Sequence, residues 1–280
     1  MRIFVTGATG YIGTAVVREL IDAGHKVIAL TRSDEGAAKL KIAGAEVHLG
    51  SLDDLDSLRS GATIADGVIH LAFKHDFANF AGSLATDLRA IEAMGEALKG
   101  SGKPFATTAH ANGTASDNAT LVLAKSGVRS AIVSLAPSVH GEGDKGFVPR
   151  LISIAREKGF SAYIGDGSNR WPAVHRLDAA RLFRLTLEAA PAGSRLDGVG
   201  DEGIPFHDIA DVIGRHLNLP VVSISREEAD AHFGFLGALA AHDFPRSSVQ
   251  TQELLNWRPV HPTLISDLEQ GHYFDNISGK

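Results

Sequence analysis

The sequence predicts an α/β protein with a doubly wound parallel sheet and a smaller, mainly helical C-terminal lobe. Three observations carry that expectation. Apolar strand-like runs and helical patterns alternate six times between Ile3 and Leu135. The strand runs are continuously apolar, as suits strands covered by helices on both faces. A turn containing three glycines, Gly7-Ala8-Thr9-Gly10-Tyr11-Ile12-Gly13, joins the first run to the first helical pattern.

Taken in order, Ile3–Val5 forms the first strand and ends at Gly7. The helix that follows sets Val16, Val17, Leu20 and Ile21 on one face and stops at Gly24. Val27–Leu30 is the second strand. A polar helix near Glu35–Ile42 precedes a strand at Glu46–Leu49, and a short helix near Asp54–Ser60 precedes Val68–Leu71. A longer helix places Leu84, Leu88, Ile91 and Leu98 on one apolar face before the strand Phe105–Thr108. A helix around Ser116–Lys125 leads into Ile132–Leu135. Beyond Pro137 helices are expected at Phe147–Lys158, Asp178–Ala190, Ile209–Leu217 and Ser247–Leu255, with short extended pieces between them. The chain divides near Leu135, residues 1–135 forming a Rossmann-type nucleotide-binding domain and 136–280 a substrate lobe with segments returning to the sheet.

Composition narrows the function. A chain of 280 residues, at about 150 per domain, is one large α/β unit with a lobe or two domains. With 44% hydrophobic and 21% charged residues it has ample core for a globular fold. Lys plus Arg number 27 against 33 Asp plus Glu, a net charge of -6. That balance gives no drive toward nucleic acid or an anionic membrane. The absence of Cys excludes disulfides, zinc thiolates, iron–sulfur clusters and cysteine nucleophiles. No apolar run approaches the ~18 residues of a membrane span. The N-terminus enters a strand at once with no room for a signal peptide, so a cytoplasmic location is expected.

The glycine turn is where the fold meets chemistry. One glycine permits the sharp turn, one lets backbone approach a pyrophosphate, and one lets helix and sheet pack closely. The helix N-terminus beyond it favours phosphate. A dinucleotide is therefore the expected ligand, held by Gly7, Thr9, Gly10, Tyr11, Ile12 and Gly13. An acid at the end of the second strand would bind the ribose 2′-hydroxyl of NAD. The sequence there reads Ala29-Leu30-Thr31-Arg32-Ser33. Arg32 suits a 2′-phosphate, which favours NADP(H) over NAD(H). A solvated surface arginine, offset by Asp34 and Glu35, is the competing reading.

The glycine loop, Gly50-Ser51-Leu52-Asp53 and Val68-Ile69-His70-Leu71-Ala72 together resemble the extended and atypical short-chain dehydrogenase/reductases, including the NAD-dependent epimerase/dehydratase group. The run Arg170–Ala180 and the late Trp257-Arg258-Pro259 extend the likeness over nearly the whole chain. The resemblance implies that Ser51 and Leu52 lie beside an adenine and that Leu71, Ala72 and Phe73 line the cofactor. It also implies a Tyr four residues before a Lys on one helix, with a Ser or Thr on the preceding strand end. The three tyrosines, Tyr11, Tyr163 and Tyr273, are followed four residues later by Ala15, Gly167 and Ile277. The dyad is absent. Alignment places Gly113 at the Tyr position, Asp117 at the Lys position, and Thr107, Thr108, Ala109 and His110 near the Ser position. Thr108 thereby becomes a candidate for both cofactor contact and catalysis. The stretch His110–Val128, 19 residues, is short for the family.

An imidazole is the natural replacement for an activated phenol near neutrality. In an open α/β sheet, ligands bind beyond the carboxyl ends of the strands. His75, His110 and His140 follow the fourth, fifth and sixth strands, so they are the candidate proton donors. A loop His that merely bonds structure or solvent is the competing reading for each. Lys74, His75, Arg170, Trp171 and His175 are candidate substrate contacts, Arg170 as a clamp for an anionic group. Asp178 reads as a helix N-cap. The thirteen His show no metal-ligand spacing, so no metal is expected. The patch His232–Leu239 reads as core. Two functions follow: an NADP(H)-dependent oxidoreductase moving hydride to or from a small carbonyl or alcohol, or a non-catalytic NAD(P)-binding redox sensor. A monomer or homodimer is expected.

Overall fold

The computed structural model describes residues 1–76, 78–110 and 113–275. The first half of the chain runs β1 (Arg2–Thr6), α1 (Tyr11–Asp22), β2 (Lys26–Thr31), α2 (Asp34–Ile42), β3 (Glu46–Leu49), α3 (Leu55–Ile64), β4 (Gly67–His70), α4 (Phe80–Leu98), β5 (Pro104–Thr108), α5 (Thr114–Ala124) and β6 (Arg129–Leu135). It continues through β7 (Ser138–His140), α6 (Phe147–Lys158), β8 (Ser161–Ile164), β9 (Arg170–His175), α7 (Arg176–Ala189), β10 (Ser194–Gly198), β11 (Asp201–Pro205), α8 (Phe206–Leu217) and β12 (Val221–Ile224). Short helices α9 (Ala229–Phe233), α10 (Gly237–Ala240), α11 (Val249–Leu255) and α12 (Leu264–Glu269) complete it.

Two compact units emerge. The first comprises Met1–Leu135, Ala179–Gly198 and Val249–Trp257, and the second the remainder. In the first unit seven strands form one sheet in the order β10-β6-β5-β4-β1-β2-β3. Every pairing in it is parallel. The order reverses at β1, so the carboxyl ends of β1 and β4 flank the switch point where open sheets bind ligands. Phe4, Ile28, Leu58, Val68, Ile91, Met94 and Phe105 pack one face of this sheet against α3 and α4. The continuous apolar character of β1, β2 and β4 follows from their place in the middle of it.

The seventh strand, β10, is a segment of the second half that returns to the sheet and pairs with β6; its sequence Ser-Arg-Leu-Asp-Gly carries one large apolar residue, as an edge strand tolerates. On α4, Leu84 and Leu88 are only half-buried, whereas Ser83, Thr86, Asp87, Ala90 and Met94 face inward. The helix turns part of a polar stripe into the protein, and the Leu spacing alone misassigned that face.

In the second unit β9 is the middle strand of a three-stranded sheet, parallel to β7 and antiparallel to β11. A second, two-stranded sheet pairs β12 with β8. Trp171, Phe206, Ile209, Ile213, Leu264 and Leu268 centre its core, with α6 and α8 packed against β8. His232, Phe233 and Leu236 are buried, while Phe235 between them is 75% exposed.

Candidate functional site

The glycine loop shows which residue each position tolerates. Gly7 has φ +71°, and a Cβ there would lie 2.7 Å from the backbone of Leu71 and Ala72. A Cβ on Gly13 would fall on the carbonyl oxygen of Gly7, so this glycine lets α1 start directly over the loop. Gly10 is the N-cap of α1, with no side chain capping the helix. A Cβ on it would meet only the Gly7 oxygen, at 3.2 Å. The first-turn N–H groups of a helix lack intrahelical acceptors, which leaves this end suited to an anion. Thr9 is exposed beside it, and Tyr11 and Ile12 open the helix.

A cavity of about 750 Å³ runs from this loop across the sheet edge. Gly7, Thr9 and Gly10 border one part of it, Arg32 and Ser33 another, Ser51, Leu52 and Asp53 a third, and Leu71, Ala72, Phe73, Lys74 and His75 the last. Among the described residues no carboxylate comes within 4.0 Å of the Arg32 guanidinium. Glu35 bonds Lys39 at 2.6 Å instead. Neither acidic neighbour, Asp34 nor Glu35, forms an ion pair with Arg32 among the described residues. Ser33 caps α2 by accepting from the Gly36 N–H at 3.1 Å. Lys74 donates to Asp53 Oδ1 at 2.7 Å, so this candidate substrate contact is tied to the cavity's own rim.

Behind the cavity lies a cluster of polar side chains. His70, at the end of β4, places Nδ1 2.7 Å from Thr6 Oγ1 and Nε2 3.1 Å from Asp87 Oδ1. Ser116, in the first turns of α5, donates to Asp87 Oδ2 at 2.6 Å. His110 Nε2 approaches Asp87 Oδ1 to 3.5 Å, and the His110 ring lies against Phe73 at 4.2 Å. Thr108 Oγ1 donates to the His70 carbonyl at 3.4 Å. Burial would raise the Asp87 carboxyl, but the N–H and O–H groups of His110, His70 and Ser116 outweigh it and hold Asp87 well below the usual carboxylate range. His110 and Thr108 are thus brought together with four residues that the sequence did not single out for chemistry: Thr6, His70, Asp87 and Ser116. His75 is apart from them, exposed and edge-on to Phe73 at 5.5 Å.

The second unit places the remaining candidates. Arg170 is not free to clamp a substrate: its Nε and Nη2 bond the two oxygens of Asp243 at 3.0 and 2.9 Å. Trp171 is fully buried, its Nε1 donating to the Leu239 carbonyl at 3.2 Å, because alternate residues of the central strand β9 point into the core. The burial of Trp171 takes it out of the expected substrate contacts, while Arg170 remains at the surface, paired with Asp243. His140 is buried and bonded through Nδ1 to Asp267 Oδ2 at 2.8 Å. His175 stacks on His261 at 4.9 Å. Burial first, then repulsion from His140 and His261, pushes His175 down to about 4. Asp178 is not an N-cap: it lies in the first turn of α7, and its carboxylate accepts from the Val260 and His261 N–H groups at 3.0 Å each. No group of residues suited to hold a metal ion occurs among the described residues.

The chain is 48% identical to the Schizosaccharomyces pombe protein named Uncharacterized protein C2A9.02, over 98% of this chain and 100% of that one. Residues 1–134 match the NmrA-like family. The chain belongs to one family with that Schizosaccharomyces pombe protein. The dTDP-glucose 4,6-dehydratase of Streptomyces venezuelae, solved with NAD bound, shares this fold with a TM-score of 0.76 and 16% identity, covering 99% of this chain and 98% of that one. The 2-alkyl-3-oxoalkanoate reductase of Stenotrophomonas maltophilia is 29% identical over 79% of this chain and 77% of its own. No helix among the described residues is long and apolar enough to cross a membrane.

Proposed function

We propose that this protein is an NADP(H)-dependent oxidoreductase that reduces a small carbonyl compound or oxidises the corresponding alcohol. Arg32 carries the cofactor reading. It is a guanidinium on the rim of the cavity, with no carboxylate partner among the described residues, at the strand end where an acid would select NAD. The glycine cradle fits a pyrophosphate, because Gly7 and Gly13 close the turn only without side chains and Gly10 leaves the approach open. Ser51 and Leu52 would border the adenine, and Leu71, Ala72, Phe73 and Thr108 the remainder of the dinucleotide. When bound, the nicotinamide supplies or accepts the hydride. The chain itself positions the substrate and moves the proton. His110 is our donor to the substrate oxygen; the Thr108 hydroxyl beside it would have to leave the His70 carbonyl to serve as a second donor. His75 and Lys74, on the cavity rim, would contact the substrate.

The test is NADPH oxidation followed by absorbance across a panel of aldehydes, ketones and quinones. Turnover on at least one compound is expected. His110→Gln should remove nearly all of it, since general acid catalysis contributes roughly 10²–10⁴-fold, while NADPH affinity stays unchanged. Tight NADPH binding with no turnover on any compound would replace the enzyme by the redox-sensor reading, which the missing Tyr and Lys favour.

A further inference from the structure

We propose that Asp87 is a positioning residue for His110, and that a buried relay from the backbone after β4 through Thr6 and His70 fixes its geometry. This rests on the reading of His110 as the proton donor. Thr6, His70, Asp87 and Ser116 are each at most 3% exposed. Burying such groups is unfavourable unless every one is bonded, and an apolar set of the same volume packs at least as stably. Stability alone does not call for this cluster.

The direction of the relay follows from counting protons. A hydroxyl has one hydrogen to donate and two acceptor positions. Thr6 Oγ1 accepts from the Leu71 N–H and the Ala72 N–H, both at 3.2 Å. Its own proton is then directed to His70 Nδ1, 2.7 Å away. His70 Nδ1 acts as an acceptor, so the ring is the neutral tautomer with its proton on Nε2, and that proton goes to Asp87 Oδ1. The other Asp87 oxygen accepts from Ser116. A carboxylate that receives N–H and O–H donors on both oxygens is stable as the anion.

His110 reaches the same oxygen of Asp87: its Nε2 is 3.5 Å from Oδ1, and its side chain is 17% exposed, open enough to exchange protons with solvent. The carboxylate therefore orients Nε2–H inward and leaves Nδ1 as the atom that exchanges the substrate proton. In the reducing direction the Nδ1–H bond breaks and an O–H bond forms on the substrate oxygen. The carbonyl carbon takes hydride from the reduced nicotinamide, and the imidazole, neutral with Nε2–H on Asp87, regains its proton from solvent. Leu71 and Ala72, whose N–H groups start the relay, line the cofactor cavity.

The test uses the full chain and two readouts. Imidazole 15N spectra of the wild type should show His70 as the Nε2–H tautomer. Thr6→Val should mix its tautomers, and Asp87→Asn should abolish the Nε2–H preference of neutral His110. With NADPH and a turned-over carbonyl, Asp87→Asn should lower kcat by roughly 10²–10⁴-fold, with KM and the NADPH dissociation constant within about threefold. A His70 found as Nδ1–H or as imidazolium overturns the relay, as does a His110 spectrum indifferent to Asp87→Asn. Equal changes in kcat and KM would reduce Asp87 to a packing residue. The spectra decide the relay even if no substrate is found, and the wild-type and Thr6→Val spectra decide it if Asp87→Asn does not fold.

Discussion

Arg32→Ala is the most direct test of cofactor choice. Arg32 is exposed, and no carboxylate pairs with it among the described residues, so the substitution breaks no internal ion pair and leaves no buried charge behind. What it removes is available to a ligand on the cavity rim. A hydrogen bond to a charged group contributes about 1.5–3 kcal/mol. At 1.4 kcal/mol per factor of ten, the loss corresponds to an approximately 10- to 150-fold weaker NADPH complex. NADH has no 2′-phosphate and should lose no more than about twofold on the same arithmetic. Titrating the protein's fluorescence with each dinucleotide at low and moderate salt measures both. The NADPH loss should shrink as salt rises, since exposed charges are screened. An equal loss for NADPH and NADH, or none for either, refutes the assignment.

Gly13→Ala places a methyl on the Gly7 carbonyl oxygen; calorimetry should show at least about 1–3 kcal/mol of destabilisation, accompanied by weaker dinucleotide binding, and an unchanged melting temperature would contradict that close approach. His175, pushed down to about 4 by burial and its histidine neighbours, stays neutral where an unfolded His would take a proton, so its stabilising share is complete above the ordinary value of 6.5 and is lost as pH falls from there toward 4. Denaturant titrations should show His175→Leu flattening stability across that window, and a slope identical to wild type would disprove it.

The strands and the glycine turn were legible in the sequence because both are local: an apolar run and a fixed spacing of glycines are visible within a dozen residues. β10 was not, since Leu196 is its only large apolar residue and its pairing with β6 joins segments about sixty positions apart. The same separation hid the relay. Thr6, His70, Asp87 and Ser116 meet only when β1, β4, α4 and α5 are assembled. A signal existed: Ser83, Asp87 and Ala90 share one face of α4, and a carboxylate on a stripe of otherwise small, uncharged residues marks a buried charge needing partners. Arg170 and Trp171 misled in the opposite way. They follow a Gly-Asp-Gly-Ser-Asn loop that looks exposed, yet Trp171 turns into the core and donates to the Leu239 carbonyl, while Arg170 stays at the surface paired with Asp243.

The departure from the chemistry that the resemblance implies is itself coherent. Where that resemblance would set the Tyr and Lys, this chain has Gly113, the N-cap of α5, and Asp117, whose carboxylate bonds Arg195 Nη1 at 2.9 Å. An acid in place of the ammonium would oppose ionisation of a phenol, so the two losses belong together: without the Tyr, the cation has no task. In a Tyr–Lys pair a cation eases proton loss from a neutral acid. In a His–Asp pair an anion steadies a cationic one, which reverses every sign. The anion must then sit where the cation did not, behind the proton donor rather than one helical turn beyond it. Asp87 on α4 meets that requirement from beneath His110, and Ser116, on the helix that would have borne the dyad, is turned to bond Asp87.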